Sequence, residues 1–422
     1  MPGWQIVWQC WLVPRPGVRD ALSIGLNLTF LVEESGGAGR YARELVRAIL
    51  DVEPETRITA FVGSTAPSPP FDAEIAERIE LVRFPMQGTG FPPWHLVGQM
   101  GALPVIAARR NLDLIHGLAN LVPPLSPAVP TVVTLLDVTW IHFPGTMHRR
   151  ATLARKVLAP VCARAANRVI AISEAAKRDI VDTLRLDPRK VDVTPLGVRQ
   201  EGHQKPPPTD ELRRRFGIHP GPVVLSVAQK REHKNLARLI HGVAAIRDGD
   251  VQLVLPGEPT AHECELRALA AELGIAERVH FPPWISEAEL EGLYKVASCF
   301  VLPSFSEGFG LPILEAMRHG IPVACSNVSS MPEVAGSAAL YFNPSSEEEI
   351  ARAIQRLVRD RGLAGELVRR GYERCRIFTW DETARRTLAS YRRAIEGSRR
   401  KLRRARRGAR GSAASPSTSD VG

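Results

Sequence analysis

Cysteine is sparse. Six residues (Cys10, Cys162, Cys264, Cys299, Cys325 and Cys375) are scattered over 422 positions, and no C-x-x-C pair occurs. That spacing excludes a zinc-ribbon pattern and offers no disulfide framework, so a reducing cytosol is the expected compartment. No apolar run is long enough to span a bilayer. No D-x-D motif stands at a strand end; Asp248-Gly249-Asp250 precedes an apolar run and reads as a turn. With no His, Asp and Glu cluster at ligand spacing either, no metal and no cofactor are expected. There is no short internal repeat. Residues Met1 to Ala21 carry Trp4, Ile6, Val7, Trp8, Trp11, Leu12 and Val13, but no basic residue comes before these and no small-residue cleavage site is clear. A secretory signal is therefore not expected, and the segment reads as an extension outside the fold.

What is present is globular in kind: 44% of residues are hydrophobic, and the length suits two α/β domains rather than one. The formal net charge of +10 is uneven. Arg399, Arg400, Lys401, Arg403, Arg404, Arg406, Arg407 and Arg410 crowd the C-terminal tail without an acid among them. Such a block reads as a solvated, disordered tail or as a contact for an anionic membrane surface. Nucleic acid is disfavoured as a partner, because no recognition motif accompanies the charge.

Apolar runs alternate with helical spacing along the whole chain. Leu22 to Val32 reads as a first buried strand. The loop Gly36-Gly37-Ala38-Gly39 follows, then a helix from Arg40 to Leu50 with Tyr41, Leu45, Ala48 and Ile49 at helical intervals. Strand, glycine loop and helix is how doubly wound folds bring backbone to phosphate. Further strands are expected at Ile58–Val62, Leu112–Ile115, Thr131–Leu136, Val169–Ile172 and Val191–Thr194. Ligands of open α/β sheets sit beyond the carboxyl ends of strands. His116 and Asp137, which follow two of these runs, are thus candidate cleft residues; a turn histidine and a capping aspartate remain the alternatives. Ser173 reads as a helix N-cap. Phe91 to Met100 suits either an acceptor-side loop or packing. The polar segment Gln200 to Thr209, with Pro206, Pro207 and Pro208, reads as a linker.

The alternation then restarts. Strands are expected at Val223–Val227, Val251–Leu255, Val279–Phe281, Cys299–Leu302 and Ile321–Ala324. Helices are expected at Leu236–Ile246, His262–Leu273 and Glu287–Val296. From Ser345 onward the pattern is helical: Glu347–Asp360, a break at Gly362, Leu363–Arg376, and a last helix ending near Ile395.

The chain is organised around Pro303-Ser304-Phe305-Ser306-Glu307-Gly308-Phe309-Gly310-Leu311-Pro312-Ile313-Leu314-Glu315-Ala316-Met317. A short buried strand runs into a small-residue loop, and a helix starts near Pro312, where a missing N–H does no harm. Amides at a helix start favour an anion. Gly308 and Gly310 admit close approach to the backbone. Glu307 and Glu315 flank those amides. Donors for phosphate beside acceptors for hydroxyls suit a sugar joined to a diphosphate.

Glu307-x7-Glu315 within E-G-F-G-L-P-I-L-E-A-M resembles the signature of the retaining nucleotide-sugar glycosyltransferases of family 4 (glycosyl transferases group 1). G-G-A-G-R-Y-A-R-E-L resembles that family's N-terminal loop, and Phe378-Thr379-Trp380-Asp381-Glu382-Thr383-Ala384 its closing segment. The likeness runs from about Leu22 to Tyr391.

It implies the GT-B fold, with two facing Rossmann-like domains. An acceptor-side domain would span 22–199, a linker 200–209, and a donor-binding domain 210–378. A helix over 379–398 would cross back to the first domain, and a basic disordered tail would fill 399–422. The resemblance implies transfer of a hexose with retained configuration and no metal. Catalysis would fall to Lys234, Glu307, Asp137 and His116. Lys234 would face the leaving diphosphate, with help from Lys230 or Arg231, one of the two being a solvated charge. Glu307 would bind sugar hydroxyls or pair with Lys234, and Glu315 would take the ribose. Gly308, Phe309, Gly310 and Leu311 would meet the sugar or phosphate, with Gly37 and Gly39 across the cleft. Gly257, Glu258 and Trp284 would lie near the base.

The expected partners are a GDP- or UDP-sugar, leaning to mannose, and a glycan or lipid-linked acceptor at the cytoplasmic membrane face. Relatives carry His-Asp where this chain has Leu136-Asp137. A degenerate, non-catalytic copy and a GT-B epimerase therefore stand as alternatives.

Overall fold

A computed structural model describes residues 21–31, 36–63, 71–83, 98–143, 149–199, 205–247 and 250–412. The N-terminal extension (bar Ala21), the Phe91 end of the acceptor-side loop, part of the linker, the Asp248-Gly249 turn and the last ten residues lie outside these. Thirteen strands form two sheets among the described residues. The first holds β1 (Ser23–Leu28), β2 (Arg57–Val62), β3 (Glu80–Arg83), β4 (Leu114–Gly117), β5 (Thr131–Leu135), β6 (Arg168–Ala171) and β7 (Val191–Val193), in the order β3-β2-β1-β4-β5-β6-β7. The second holds β8 (Val223–Leu225), β9 (Gln252–Val254), β10 (Val279–His280), β11 (Cys299–Leu302), β12 (Val323–Ser326) and β13 (Ala339–Phe342), in the order β10-β9-β8-β11-β12-β13. β1 pairs in parallel with β2 and β4, and β8 with β9 and β11.

Both sheets are Rossmann-like and share one topology. The chain winds outward from the first strand, then returns to that strand's other side. Each sheet thus has a switch point beside its first strand, β1/β4 in one and β8/β11 in the other, where a crevice opens beyond the carboxyl ends. Strands buried on both faces explain the continuous apolar runs in the sequence.

By contacts the chain divides into two compact units. One comprises residues 1–134, 157–169 and 387–422; the other comprises 135–156 and 170–386. In the first, Ile24, Leu26 and Leu28 of β1 are wholly buried with Leu45, Val46 and Ile49 of the helix Gly36–Val52. Tyr391 is buried there too. In the second, Val224, Leu253 and Val301 of the central strands share one core with Leu239, Ile240 and Val243 of the helix Leu236–Ala244. Among the described residues no helix is long and apolar enough to cross a membrane, and the five described cysteines are free thiols.

Several expectations need correction. Gly36 to Gly39 are not a loop but the first turn of the helix Gly36–Val52. His116 and Gly117 do not follow β4; they belong to it. The break expected at Gly362 falls at Asp360, whose Oδ1 accepts from the Leu363 amide at 2.9 Å and caps the helix Arg361–Ile377. β3, β13 and the helices Met331–Ala335 and Arg149–Ala165 were not anticipated. The final helix does not stop near Ile395. It runs unbroken from Trp380 to Ser412. Arg, Lys, Leu and Ala all favour helix, Gly397, Gly408 and Gly411 cost only about 1 kcal/mol each, and no proline intervenes. Basic residues also suit a helix's C-terminal end. Residues 399–412 are therefore helical, not the disordered segment that their charge suggested.

Candidate active site

The β8/β11 switch point brings together two loops. The chain leaving β8 forms a short 3-10 turn, Glu232–Lys234, that ends at Asn235 in the left-handed region (φ +58°). The Asn235 side chain donates to the carbonyls of Pro303 at 2.9 Å and Pro344 at 2.7 Å. The Phe305 amide donates to the His233 carbonyl at 2.9 Å. The two loops are thus tied to each other by one backbone bond and by the Asn235 side chain.

Across that tie lies an ion pair. Lys234 Nζ is 2.8 Å from both Glu307 carboxylate oxygens, and Ser304 Oγ donates to Oε1 at 2.6 Å. The lysine and glutamate side chains are 17% and 12% exposed, so the pair is little screened by water yet open on one side. Taking away one partner of such a pair leaves a charge largely desolvated, which costs about 3–5 kcal/mol.

Serines fix the loop that follows. Ser329, itself in the left-handed region (φ +59°), accepts from the Glu307 amide at 3.1 Å and donates to the Glu307 carbonyl at 2.8 Å. Ser330 Oγ lies 2.9 Å from the Glu307 carbonyl and 2.8 Å from that of Phe309. Ser173 Oγ donates to the Gly308 carbonyl at 2.7 Å while it caps the helix Glu174–Leu184 by accepting from Ala176. Three successive carbonyls are thereby drawn toward serines. Because a trans peptide points its N–H opposite its C=O, the amides of Gly308 and Gly310 point away from Ser330 and that of Phe309 away from Ser173. Gly310 (φ +92°) then starts the helix Leu311–Arg318. Gly308 has a different constraint: a Cβ there would lie 2.2 Å from the Leu136 carbonyl oxygen.

The same closeness brings in Asp137, whose Cβ is 3.3 Å from that hypothetical methyl. Asp137 Oδ1 accepts from the Thr139 amide at 3.0 Å. Burial raises its pKa, against the Thr139 hydrogen bonds and the charge of Lys234, which lower it. Lys234, Glu307, Asp137 and the Gly308 backbone therefore form one constellation, and Asp137 is a turn cap as well. Glu315, on the helix Leu311–Arg318, is 8% exposed and accepts from Tyr294 Oη at 3.0 Å.

Other expected site residues stand elsewhere. His116 lies within β4 rather than beyond it and is wholly buried in the first unit, with Nδ1 2.7 Å from Tyr391 Oη and Nε2 2.8 Å from Thr134 Oγ1. Tyr41 Oη is 3.1 Å from the same Thr134 hydroxyl. Burial lowers the His116 pKa to about 3, so it is a neutral core histidine. Lys230 is not the solvated charge of this loop. Its wholly buried side chain reaches the Gly257 carbonyl at 2.7 Å and Glu263 at 3.0 Å. Phe309 offers its backbone only, its ring being buried edge-on to Phe378 at 5.6 Å. Trp284 is 56% exposed. Gly37 is exposed and Gly39 buried in the first helical turn. No three His, Cys, Asp or Glu side chains among the described residues gather into a group able to hold a metal ion.

The sequence did not single out Ser304, Ser329, Ser330, Asn235 or Tyr294. His233 was noted only as part of a basic loop. It is 7% exposed and 5.6 Å from the Phe143 ring, and burial and Lys234 lower its pKa to about 4. The paired Ser329-Ser330 before a helix was the one local signal available for the serines.

Comparison with known proteins agrees with this architecture. Residues 35–201 match the model of Glycosyltransferase Family 4, and residues 208–374 that of Glycosyl transferases group 1. The chain belongs to glycosyltransferase family 4. It is 28% identical over 415 residues to an MMP alpha-(1->4)-mannosyltransferase of Mycolicibacterium hassiacum, covering 85% of this chain and 95% of that one. It is 29% identical over 409 residues to a D-inositol 3-phosphate glycosyltransferase of Salinispora tropica, covering 87% and 83%. Over a shorter stretch of 113 residues, 27% of this chain and 30% of the other, it is 39% identical to O-antigen chain mannosyltransferase B of Escherichia coli. A glycosyltransferase structure from Rickettsia africae ESF-5 superposes with a TM-score of 0.69 at 15% identity, covering 89% of this chain and 99% of that one. The Anabaena Alr3699/HepE structure, a complex with UDP and glucose, gives 0.68 at 18%, covering 88% and 99%. These likenesses show the GT-B fold.

Proposed function

We propose that this glycosyltransferase moves a hexose, with mannose favoured, from a nucleoside-diphosphate sugar to a glycan or lipid-linked acceptor with retention of configuration. The observation that carries the reading is the Lys234–Glu307 pair set against the serine-held loop at the β8/β11 switch point. Donor diphosphate placed there meets a cation and backbone amides of the loop, which stabilise the charge that grows as the glycosidic bond breaks. Glu307 exchanges its lysine for sugar hydroxyls or shares both. Asp137 offers a second carboxylate to those hydroxyls, and Glu315 takes the ribose. The acceptor oxygen attacks on the face that the diphosphate vacates, and the departing phosphate oxygen takes its proton. The mannose preference rests on the mannosyltransferase names of two relatives. A UDP-sugar is the competing donor, since the Anabaena protein holds UDP.

The chain is assigned to the cytoplasmic face of a membrane, held there through the basic end of its last helix. A catalytically inert binding protein is the second reading, favoured by Leu136 in place of the family histidine. Thermal unfolding with UDP, GDP, ADP and dTDP tests the donor, since a ligand bound only by the folded state raises stability by mass action. Turnover of the matching sugar nucleotide by pure protein, with the anomer of the product read by NMR, tests the rest. Stabilisation without any turnover over a panel of acceptors, and without donor hydrolysis, would favour the inert reading.

A further inference from the structure

Glu315 does not stand alone on its helix. Tyr294, on the helix Glu287–Val296, donates its hydroxyl to Glu315 Oε2 at 3.0 Å. The tyrosine is 2% exposed, so that hydroxyl has little recourse to water. Its ring is held as well. It stacks on His319 with ring centroids 4.8 Å apart and planes within 9°. His319 Nε2 in turn lies 2.9 Å from Glu291 Oε2, and Arg318 reaches Glu291 Oε1 at 2.6 Å. Two neighbouring basic side chains hold the Glu291 carboxyl at a pKa of about 2, against burial that raises it. A chain of contacts thus runs from an ion pair, through a stacked ring, to the carboxylate on the donor-loop helix.

A glutamate side chain has three rotatable bonds, and fixing them before a ligand arrives lowers the entropy lost on binding. A carboxylate offers about four lone-pair sites, so a hydrogen bond from tyrosine takes up only part of its accepting capacity. We propose that Tyr294 is a positioning residue for nucleotide recognition. Its hydroxyl sets the Glu315 carboxylate in the orientation that the two ribose hydroxyls of the donor require. The proposal rests on the assignment of Glu315 to the ribose, and its test separates the two.

The measurement is the affinity of the full chain, by calorimetry, for the nucleoside diphosphate that stabilises it most among UDP, GDP, ADP and dTDP. The 2′,3′-dideoxy analogue of the same base serves as the comparison. Where dTDP is the best binder, the pair is the ribose form and the 2′,3′-dideoxy form of the thymidine diphosphate. The readout is the ratio of the two affinities, which overall destabilisation leaves unchanged. Glu315→Ala should bring the ratio close to one. Tyr294→Phe, which keeps the stacked ring, should reduce the ratio by about 3- to 10-fold, within the net worth of a typical intramolecular hydrogen bond, since the tyrosine acts on the ligand only through Glu315. A ratio in Tyr294→Phe equal to that of the unaltered protein, with the ratio lost in Glu315→Ala, would overturn the positioning role and spare the ribose assignment. An unchanged ratio in Glu315→Ala, or no stabilisation by any diphosphate, would remove the ribose assignment and the proposal together.

Discussion

At the scale of single residues, the constellation is built from charges whose partners decide their meaning. Lys234 touches both oxygens of Glu307. In the proposed reaction a lysine there meets the leaving diphosphate most strongly in the transition state, so Lys234→Ala should lower turnover more than donor affinity. Loss of such a charge-assisted contact costs about 1.5–3 kcal/mol, or roughly 10- to 150-fold in rate. Steady-state kinetics with the donor varied checks this; wild-type turnover in a folded mutant would take Lys234 out of the mechanism. His116 makes a different prediction. Its folded pKa is lowered from 6.5 to about 3. Between those values the unfolded chain binds a proton that the native core refuses, so stability falls as pH falls through this window. His116→Gln should remove about 1.4 kcal/mol per pH unit from that slope, read from urea unfolding at about pH 6 and about pH 4.5. Lys234, Glu307 and Glu315 were legible in sequence because their neighbours carry a long, specific string. His116 was misplaced because a strand's last residues cannot be told from the turn after it, and because only the fold brings Thr134 and Tyr391 to its ring nitrogens.

At the scale of elements, the site is a property of strand order. The reversal at β8/β11 sets the loop after β8 beside the loop after β11, although 73 residues separate Lys234 from Glu307. Alternating apolar runs announced two such sheets, and most strands lie where they were expected. β3 escaped because its partly exposed, mixed sequence (E-L-V-R) carries no clean apolar run, whereas β13 was missed although its run (A-L-Y-F) is apolar. The serine scaffold escaped for a deeper reason: Ser173, Ser329 and Ser330 reach the 307–309 carbonyls from other elements, and no spacing encodes that. Gly308 tests whether the loop is as constrained as it looks. A methyl at Gly308 would meet the Leu136 carbonyl oxygen at 2.2 Å, backbone against backbone. Gly308→Ala should therefore displace the loop, lowering stability by about 1–3 kcal/mol and turnover by at least about tenfold. A mutant with unchanged melting temperature and full activity would mean that the loop yields freely.

At the scale of the whole molecule, the question is what the last helix does beyond the fold. Its stripe of Ala384, Leu388, Tyr391 and Ala394 is buried. From Arg399 the apolar stripe gives way to eight basic residues in twelve positions, yet the backbone stays helical to Ser412. Composition alone suggested disorder, because charge reports poor burial and says little about backbone propensity. Helix changes the physics of the charge. At about 1.5 Å per residue the eight cations occupy roughly 17 Å of length, far denser than along an extended tail. Each basic residue near an anionic bilayer contributes about 1 kcal/mol or less, and salt screens it. Truncation after Ser398 removes eight basic residues and one acid, seven of the ten net positive charges, and none of the described residues of the buried core. The shortened chain should keep its melting temperature and its turnover on a water-soluble acceptor. It should lose sedimentation with vesicles containing phosphatidylserine, which the full chain should show at low salt and release as salt rises. Equal vesicle binding by both chains would assign the basic helix to solvent and leave any membrane contact to another surface.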